Sequence, residues 1–364
     1  MSDLLEIIES RLKLASSNGE KAALQARKAI VLVRMAQFEN AREIVASLRT
    51  IFDKGQDGRI TCWIMLVEGL IGFFDGLRPE AEDRIRRANF LATAIGDLPL
   101  SSLTAAWKAH LEFERSVFEE MAMSLRKALV TVDSGDHDTL ARIAIVMCNA
   151  YAVCGDADNS NIWFARGRDH AYRSGDRLSV DALIFNRAVY GLANARANYF
   201  SRSVCDIDTG ALRMCVESAR NLEALIGKTT LVEHLQLSHG RLLILEGHYE
   251  QAITCLSAIK GNNQCAEYNY NDSLIAVEIA YCYLKWNQPK EAQVWINSVK
   301  PGFRDKLDSD EVLVATQMLS ELDFAGVDLR HIKYNDEEVE QANVVYDQMR
   351  SRLKAALIDA NTLS

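Results

Sequence analysis

Small residues recur along this chain about every forty positions, and that period limits the fold more than any other feature of the sequence. Ala41, Ala81, Met121, Ser160, Ala211, Ala252 and Ala292 are separated by 40, 40, 39, 51, 41 and 40 residues. Earlier in each unit stands a second small residue: Ala29, Gly69, Ala109, Cys148, Ala188, Gly240 and Ala280. Self-similarity at a fixed period of roughly 20–50 residues marks stacked repeats. A small residue on each of two helices lets their axes approach closely, and larger ones would overpack the crossing. Between the two positions lies a stop signal. Five residues before the second small position come Gly76, Gly155, Gly247 and Asn287, with Ala36 and Ser116 in the other units. Gly and Asn tolerate the left-handed conformation that ends a helix. Four residues after it, Val45, Ile85, Leu125, Phe164, Leu256 and Ile296 return an apolar group to the helix pair.

The rest of the chain agrees with helix throughout. Only four prolines occur in 364 residues, Pro79, Pro99, Pro289 and Pro301, each near an expected helix edge. Proline breaks helix interiors, whereas the abundant Ala, Leu, Glu and Arg favour them. No long stretch alternates apolar and polar residues as a half-buried strand does. The periodicity predicts a helix over 3–16, helix pairs over 20–52, 59–95, 100–132, 138–173, 177–226, 230–260 and 272–299, and a last pair over 309–324 and 335–360. Asn335 and Asp336, ahead of Glu338, give the last helix a start signal. The fifth unit is about eleven residues too long at 199–210, which fits either an extended loop or longer helix ends.

Gly240, Gly247, Tyr249, Ala252 and Leu256, and again Ala280, Tyr283, Ala292 and Ile296 followed by Pro301, resemble the tetratricopeptide repeat. That family's consensus runs small, aromatic, Gly, Tyr, Ala, Phe, with a closing proline. The resemblance spans about 20–305, strongest in units six and seven and weakest in unit five. A period near 40, rather than about 34, implies longer helices, similar to the arrays of bacterial transcriptional activators and signalling regulators. The resemblance implies an all-α fold: a right-handed superhelical solenoid of about seven or eight antiparallel helix pairs. It implies a single domain over 1–364, with an N-terminal helix at 1–19, the array at 20–305 and capping helices at 306–364.

In such arrays the first helix of each pair lines the concave face. Counting from the small positions, the partner-binding candidates are Trp63, Phe73, His110, Arg142, Asn149, Phe185, His234, Arg241 and Tyr281, with Leu66 and Val189 beside them. The resemblance implies a protein-interaction module: an adaptor, chaperone or regulatory subunit gripping a segment of another protein or a peptide. The alternative is a signal-sensing regulator that binds a small peptide or small molecule and acts through a separate effector protein. The Lys/Asn carboxylate clamp of chaperone-binding members is not present. Homo-oligomerisation through a terminal unit is compatible with either.

Charge and chemistry narrow the field. The 41 basic and 50 acidic residues leave a net charge of −9, which argues against nucleic acid as a direct partner. The eight cysteines form no Cys-x-x-Cys pair and most sit in apolar helical pattern, as in a reducing cytoplasm. The most apolar window, 60–74, is too short to span a membrane. His234 and His239 are five apart, not the four of a zinc-binding helix pair. Arg166 and His170 have the residue types of a helical ribonuclease site, at a spacing one or two residues short. Gly227-Lys-Thr-Thr lacks the upstream glycine of a phosphate-binding loop, and Ser238-His239-Gly240 lacks a nucleophile elbow. The sequence therefore points away from an enzyme, a cofactor or a metal site.

Overall fold

The computed structural model describes residues 3–52, 57–76, 78, 80–201, 207–226, 231–260, 272–335 and 337–361. Pro79, Cys205, Cys265, Asp336 and the 227–230 segment lie outside them. Among the described residues the fold is all-helical, with no strand. The helices are α1 (Asp3–Leu14), α2 (Asn18–Arg34), α3 (Phe38–Phe52), α4 (Gly58–Phe74), α5 (Glu80–Ala94), α6 (Leu98–Glu114), α7 (Phe118–Thr131), α8 (His137–Val153) and α9 (Ala157–Ser174). They continue with α10 (Arg177–Phe200), α11 (Thr209–Ile226), α12 (Val232–Leu245), α13 (Tyr249–Lys260), α14 (Asp272–Lys285), α15 (Pro289–Ile296), α16 (Ser309–Phe324) and α17 (Glu337–Asn361). These bounds lie within about three residues of the segments expected from the periodicity. Among the described residues, no helix is long and apolar enough to cross a membrane.

The turn signals work through backbone geometry. Gly76, Gly155 and Gly247 have positive φ, and so do Ala36, Ser116 and Asn287 at the matched positions. The left-handed residue lets the chain fold its next amides back onto the helix end. Ala36 N–H donates to Val33 O and Gln37 N–H to Leu32 O; the pattern recurs at Ser116/Val117, Gly247/His248 and Asn287/Gln288. Each is a Schellman motif, which satisfies carbonyls the helix end leaves open. Asn335 caps α17, accepting from Glu337 N at 3.2 Å.

The small positions mark where the paired helices cross. A Cβ on Gly69 would stand 2.5 Å from Ile85 Cγ1 and 3.1 Å from Ala81 O; one on Gly240 would stand 2.7 Å from Leu256 Cδ2. Seven residues before Gly69, Cys62 Sγ donates to Ala88 O, seven after Ala81. Ser102 donates likewise to Ala128 O across α6 and α7, and Ser160 to Cys148 O across α8 and α9. One partner's number rises as the other's falls, so these pairs are antiparallel.

Burial separates the two helices of a pair. In α6 every residue over 100–113 is buried except Lys108, and in α14 so is every residue over 273–282. By contrast α5 buries only Ala81, Ile85, Ala88, Asn89 and Ala92, one amphipathic face. First helices form an inner layer, second helices an outer one. Neighbouring pairs join through contacts such as α5 with α6, α13 with α14, and the first helices α2 with α4 and α14 with α16.

The fifth pair departs from the expected register. Ala211 is exposed. The buried stripe of α11 runs through Val216 and Ala219, with Leu212 and Cys215 partly covered, so the crossing is shifted by one residue. The extra length of this unit is largely helix: α10 has 24 residues where α4 has 17. Its added turns carry Ala197, packed with Leu313, Ala342 and Tyr346, and Phe200, whose ring meets Tyr281 edge-on at 5.5 Å. The chain forms two compact units. One holds the described residues within 1–151, 157–183 and 353–364; the other holds those within 152–156 and 184–352.

Candidate functional site

All nine sequence-derived candidates lie on inner helices: Trp63 and Phe73 on α4, His110 on α6, Arg142 and Asn149 on α8, Phe185 on α10, His234 and Arg241 on α12, Tyr281 on α14. None is exposed; Trp63, His110, Arg142, Asn149 and Tyr281 are buried and the rest are partly covered. Five lie in the first unit and four in the second.

In the first unit an aromatic group surrounds buried charge. Phe73 and Trp107 each meet the His110 ring edge-on, at 5.6 and 5.9 Å. The Arg142 guanidinium lies 3.8 Å from the centre of the Trp107 ring. Two other arginines here are paired: Arg27 with Asp138 at 3.1 Å, and Arg34 with Asp176 at 2.8 Å and Ser179 at 3.0 Å. Burial would raise the Asp176 carboxyl, but the Arg34 charge and hydrogen bonds outweigh it and hold it below the ordinary range. Burial, with the Arg142 and Arg34 charges behind it, pushes the His110 imidazole down to about 3, so the ring is neutral. Burial and the Arg34 charge also lower Arg142 well below the usual guanidinium value. Several buried polar atoms have no hydrogen-bond partner among the described residues: Trp63 Nε1, His110 Nδ1, Asp138 Oδ1, and both Nδ2 and Oδ1 of Asn149.

In the second unit the inner helices share a charge network. Glu278 of α14 is 0% exposed and accepts from Arg196 of α10 and, at 2.9 Å, from Arg241 Nε of α12. Arg241 also reaches Glu311 of α16 at 3.2 Å. Burial lowers Arg196 despite Glu278. At Arg241 the Glu278 and Glu311 charges overcome burial and raise it. Burial and the Arg241 charge push His234 down to about 4. Its ring meets Phe185 edge-on at 6.2 Å. Burial, then Glu311 and Asp308, lift Asp310 to about 6. Arg196 Nε and Glu278 Oε2 lack partners among the described residues.

Sequence reasoning missed Trp107, Arg27, Arg34, Arg196 and Glu278. A signal existed for three of them: Arg27, Trp107 and Glu278 all stand two residues before a first-helix small position. That offset faces the same interior as the candidates chosen.

Other constellations lead elsewhere. Cys255, His239 and Glu217 align as a nucleophile, base and acid would, at 3.9 and 4.0 Å. Burial raises the Cys255 thiol, and its Sγ donates to Gln236 O at 3.3 Å, so it is held as a thiol and not the nucleophilic thiolate. His170 stacks on His137 at 5.2 Å, and Arg166 lies over Trp163 at 4.8 Å. Among the described residues no group of three His, Cys, Asp or Glu side chains is placed to hold a metal. On the outer face of the first unit a cleft of about 590 Å³ is lined by Arg42, Arg49, Arg78 and Arg84. All four are engaged, Arg49 and Arg84 by Glu68, Arg42 and Arg78 by Asp75. The chain matches no protein-family model and no curated protein.

Proposed function

We propose that this chain is a non-catalytic binding protein. It stacks about seven or eight antiparallel helix pairs in a right-handed superhelix, in the manner of the tetratricopeptide repeat, and its first helices hold the ligand. One observation carries this reading: polar and aromatic side chains gather on the inner helices, with hydrogen-bonding atoms buried and unused. Buried polar groups are nearly always partnered in a fold that serves only its own stability, because leaving one unpaired costs about 1–3 kcal/mol. The ligand is a segment of another protein, and the chain acts as an adaptor, chaperone or regulatory subunit in the cytoplasm. The depth of the unused atoms favours a second reading, in which inner helices enclose a short peptide or small molecule and the chain signals through a separate effector.

The test is affinity capture from an extract of the chain's own cells, with native mass spectrometry of what elutes. Wild type is compared with Asn149→Ala, on the inner layer, and Arg86→Ala, whose side chain is exposed on α5. A partner held by wild type and Arg86→Ala but lost by Asn149→Ala supports the proposal. A chain that elutes bare, or a partner held equally by both variants, overturns it.

A further inference from the structure

We infer that the first unit binds its ligand through an oxyanion group, a carboxylate or a phosphate, received by Arg142. The inference rests on the reading above that inner helices hold a ligand, and names what that ligand must carry.

The argument begins from charge. Helices α2 and α8 of this unit hold three arginines, Arg27, Arg34 and Arg142, and two have partners: Arg27 with Asp138, and Arg34 with Asp176. Arg142 is 6% exposed and forms no ion pair or hydrogen bond among the described residues. The Asp176 carboxylate is engaged by Arg34 and by the Ser179 hydroxyl. Burying an unpaired guanidinium is unfavourable, and Arg34 adds repulsion. Among the described residues only the Trp107 ring and the charge of Asp176, itself bonded to Arg34, offset this. That contact uses the face of the cation; the five N–H donors lie in its plane and can fork onto two oxygens of an oxyanion.

The surroundings define the rest of the ligand. Buried atoms of both kinds are unused in this unit: the donors Trp63 Nε1 and Asn149 Nδ2, and the acceptors Asn149 Oδ1, Asp138 Oδ1 and Glu112 Oε2; His110 is neutral and adds no charge. Asn149 is 1% exposed and lies seven residues beyond Arg142 on α8. At the helical rise, that places the two side chains about 10 Å apart on one face. Asn149 offers a donor and an acceptor together, the complement of an amide. The ligand is therefore an extended molecule with an oxyanion at the Arg142 end and an amide-like group some two helical turns away.

The experiment uses the full chain and two probes, inorganic phosphate and acetate, each titrated against chloride at matched ionic strength while thermal unfolding is followed. One or both should raise the melting temperature saturably, by about 3–5 °C at ten times the half-saturating concentration. Phosphate alone responding identifies a phosphoryl group; acetate responding equally identifies a carboxylate. Arg142→Met should abolish the rise, yet melt no lower than wild type in chloride. A wild type that responds to neither anion, or an Arg142→Met protein that keeps the response, overturns the inference. Should Arg142→Met not fold, wild-type tryptophan fluorescence decides, since an anion at Arg142 must change the emission of Trp107; emission unmoved by both probes counts against it. An absent anion response with a partner still lost by Asn149→Ala would sink the oxyanion while leaving the binding reading in place; failure of both would sink both.

Discussion

Replacing Glu278 by Gln should unfold the second unit far more readily than its single lost charge suggests. The carboxylate is fully buried and serves two arginines, Arg196 and Arg241. At an effective dielectric near 20, opposite charges about 4 Å apart attract by about 4 kcal/mol. Two such pairs forfeit about 8 kcal/mol of gross attraction and leave two guanidinium groups facing each other. Against this, several kcal/mol of carboxylate desolvation no longer has to be met. The net loss is about 3–5 kcal/mol, the usual cost of breaking a buried ion pair. For a unit of this size that corresponds to a fall in melting temperature of about 6–20 °C. Thermal and urea unfolding followed by circular dichroism would measure it. The triple variant Arg196→Met, Glu278→Leu, Arg241→Met removes every charge together and should stay within about 2 kcal/mol of wild type, because apolar packing can replace a buried network. A Glu278→Gln protein within about 1 kcal/mol of wild type, or a triple variant as damaged as its singles summed, would refute the reasoning.

Three further expectations follow from the geometry. Gly240→Ala should destabilise by about 1–3 kcal/mol, since the new Cβ meets Leu256 at 2.7 Å; unchanged urea unfolding would contradict the crossing assigned to this pair. Ala36→Gly and Ser116→Gly, each at φ 57, should stabilise by about 1 kcal/mol apiece, read as additive shifts in urea midpoint. Asp310, raised from its ordinary 3.8 to about 6 by burial and neighbouring carboxylates, stabilises the fold only while protonated. Its contribution is present below about pH 4 and lost as pH rises through 6. Asp310→Asn should therefore match wild type in melting temperature at pH 4 and exceed it at pH 7; a gap independent of pH would count against this.

The helices and turns were legible because their signals are local. Small residue, left-handed stop and apolar return sit within one unit, and even Ala36 and Ser116 followed the backbone shape of the glycines they replace. The register failed at Ala211, where α10 runs longer and the period no longer reports the crossing. The inner residues were legible as a face but not as a site. Arg241 could be placed by counting from Gly240, whereas its bond to Glu278 joins residues 37 apart and that of Arg196 joins residues 82 apart. Such pairings depend on how successive helices stack, which no spacing within a unit encodes. For the same reason Arg241, expected to be free for a partner, is tied into the unit's own network.

The added turns of α10 change what kind of object the second unit is. A stack of repeats in which each touches only its neighbours unfolds piecemeal, fraying from its ends. Here Arg196 and Phe200 reach α14, Ala197 packs with α16 and α17, and Asn198 accepts from Arg350 of α17 at 3.1 Å. One helix near the start of the unit is thereby bonded to those at its end, and the chain of neighbours is closed into a loop of mutual dependence. Such a unit cannot shed its last helices one at a time. It holds or melts as a whole, and any ligand gripped by its inner layer would feel that all-or-none rigidity.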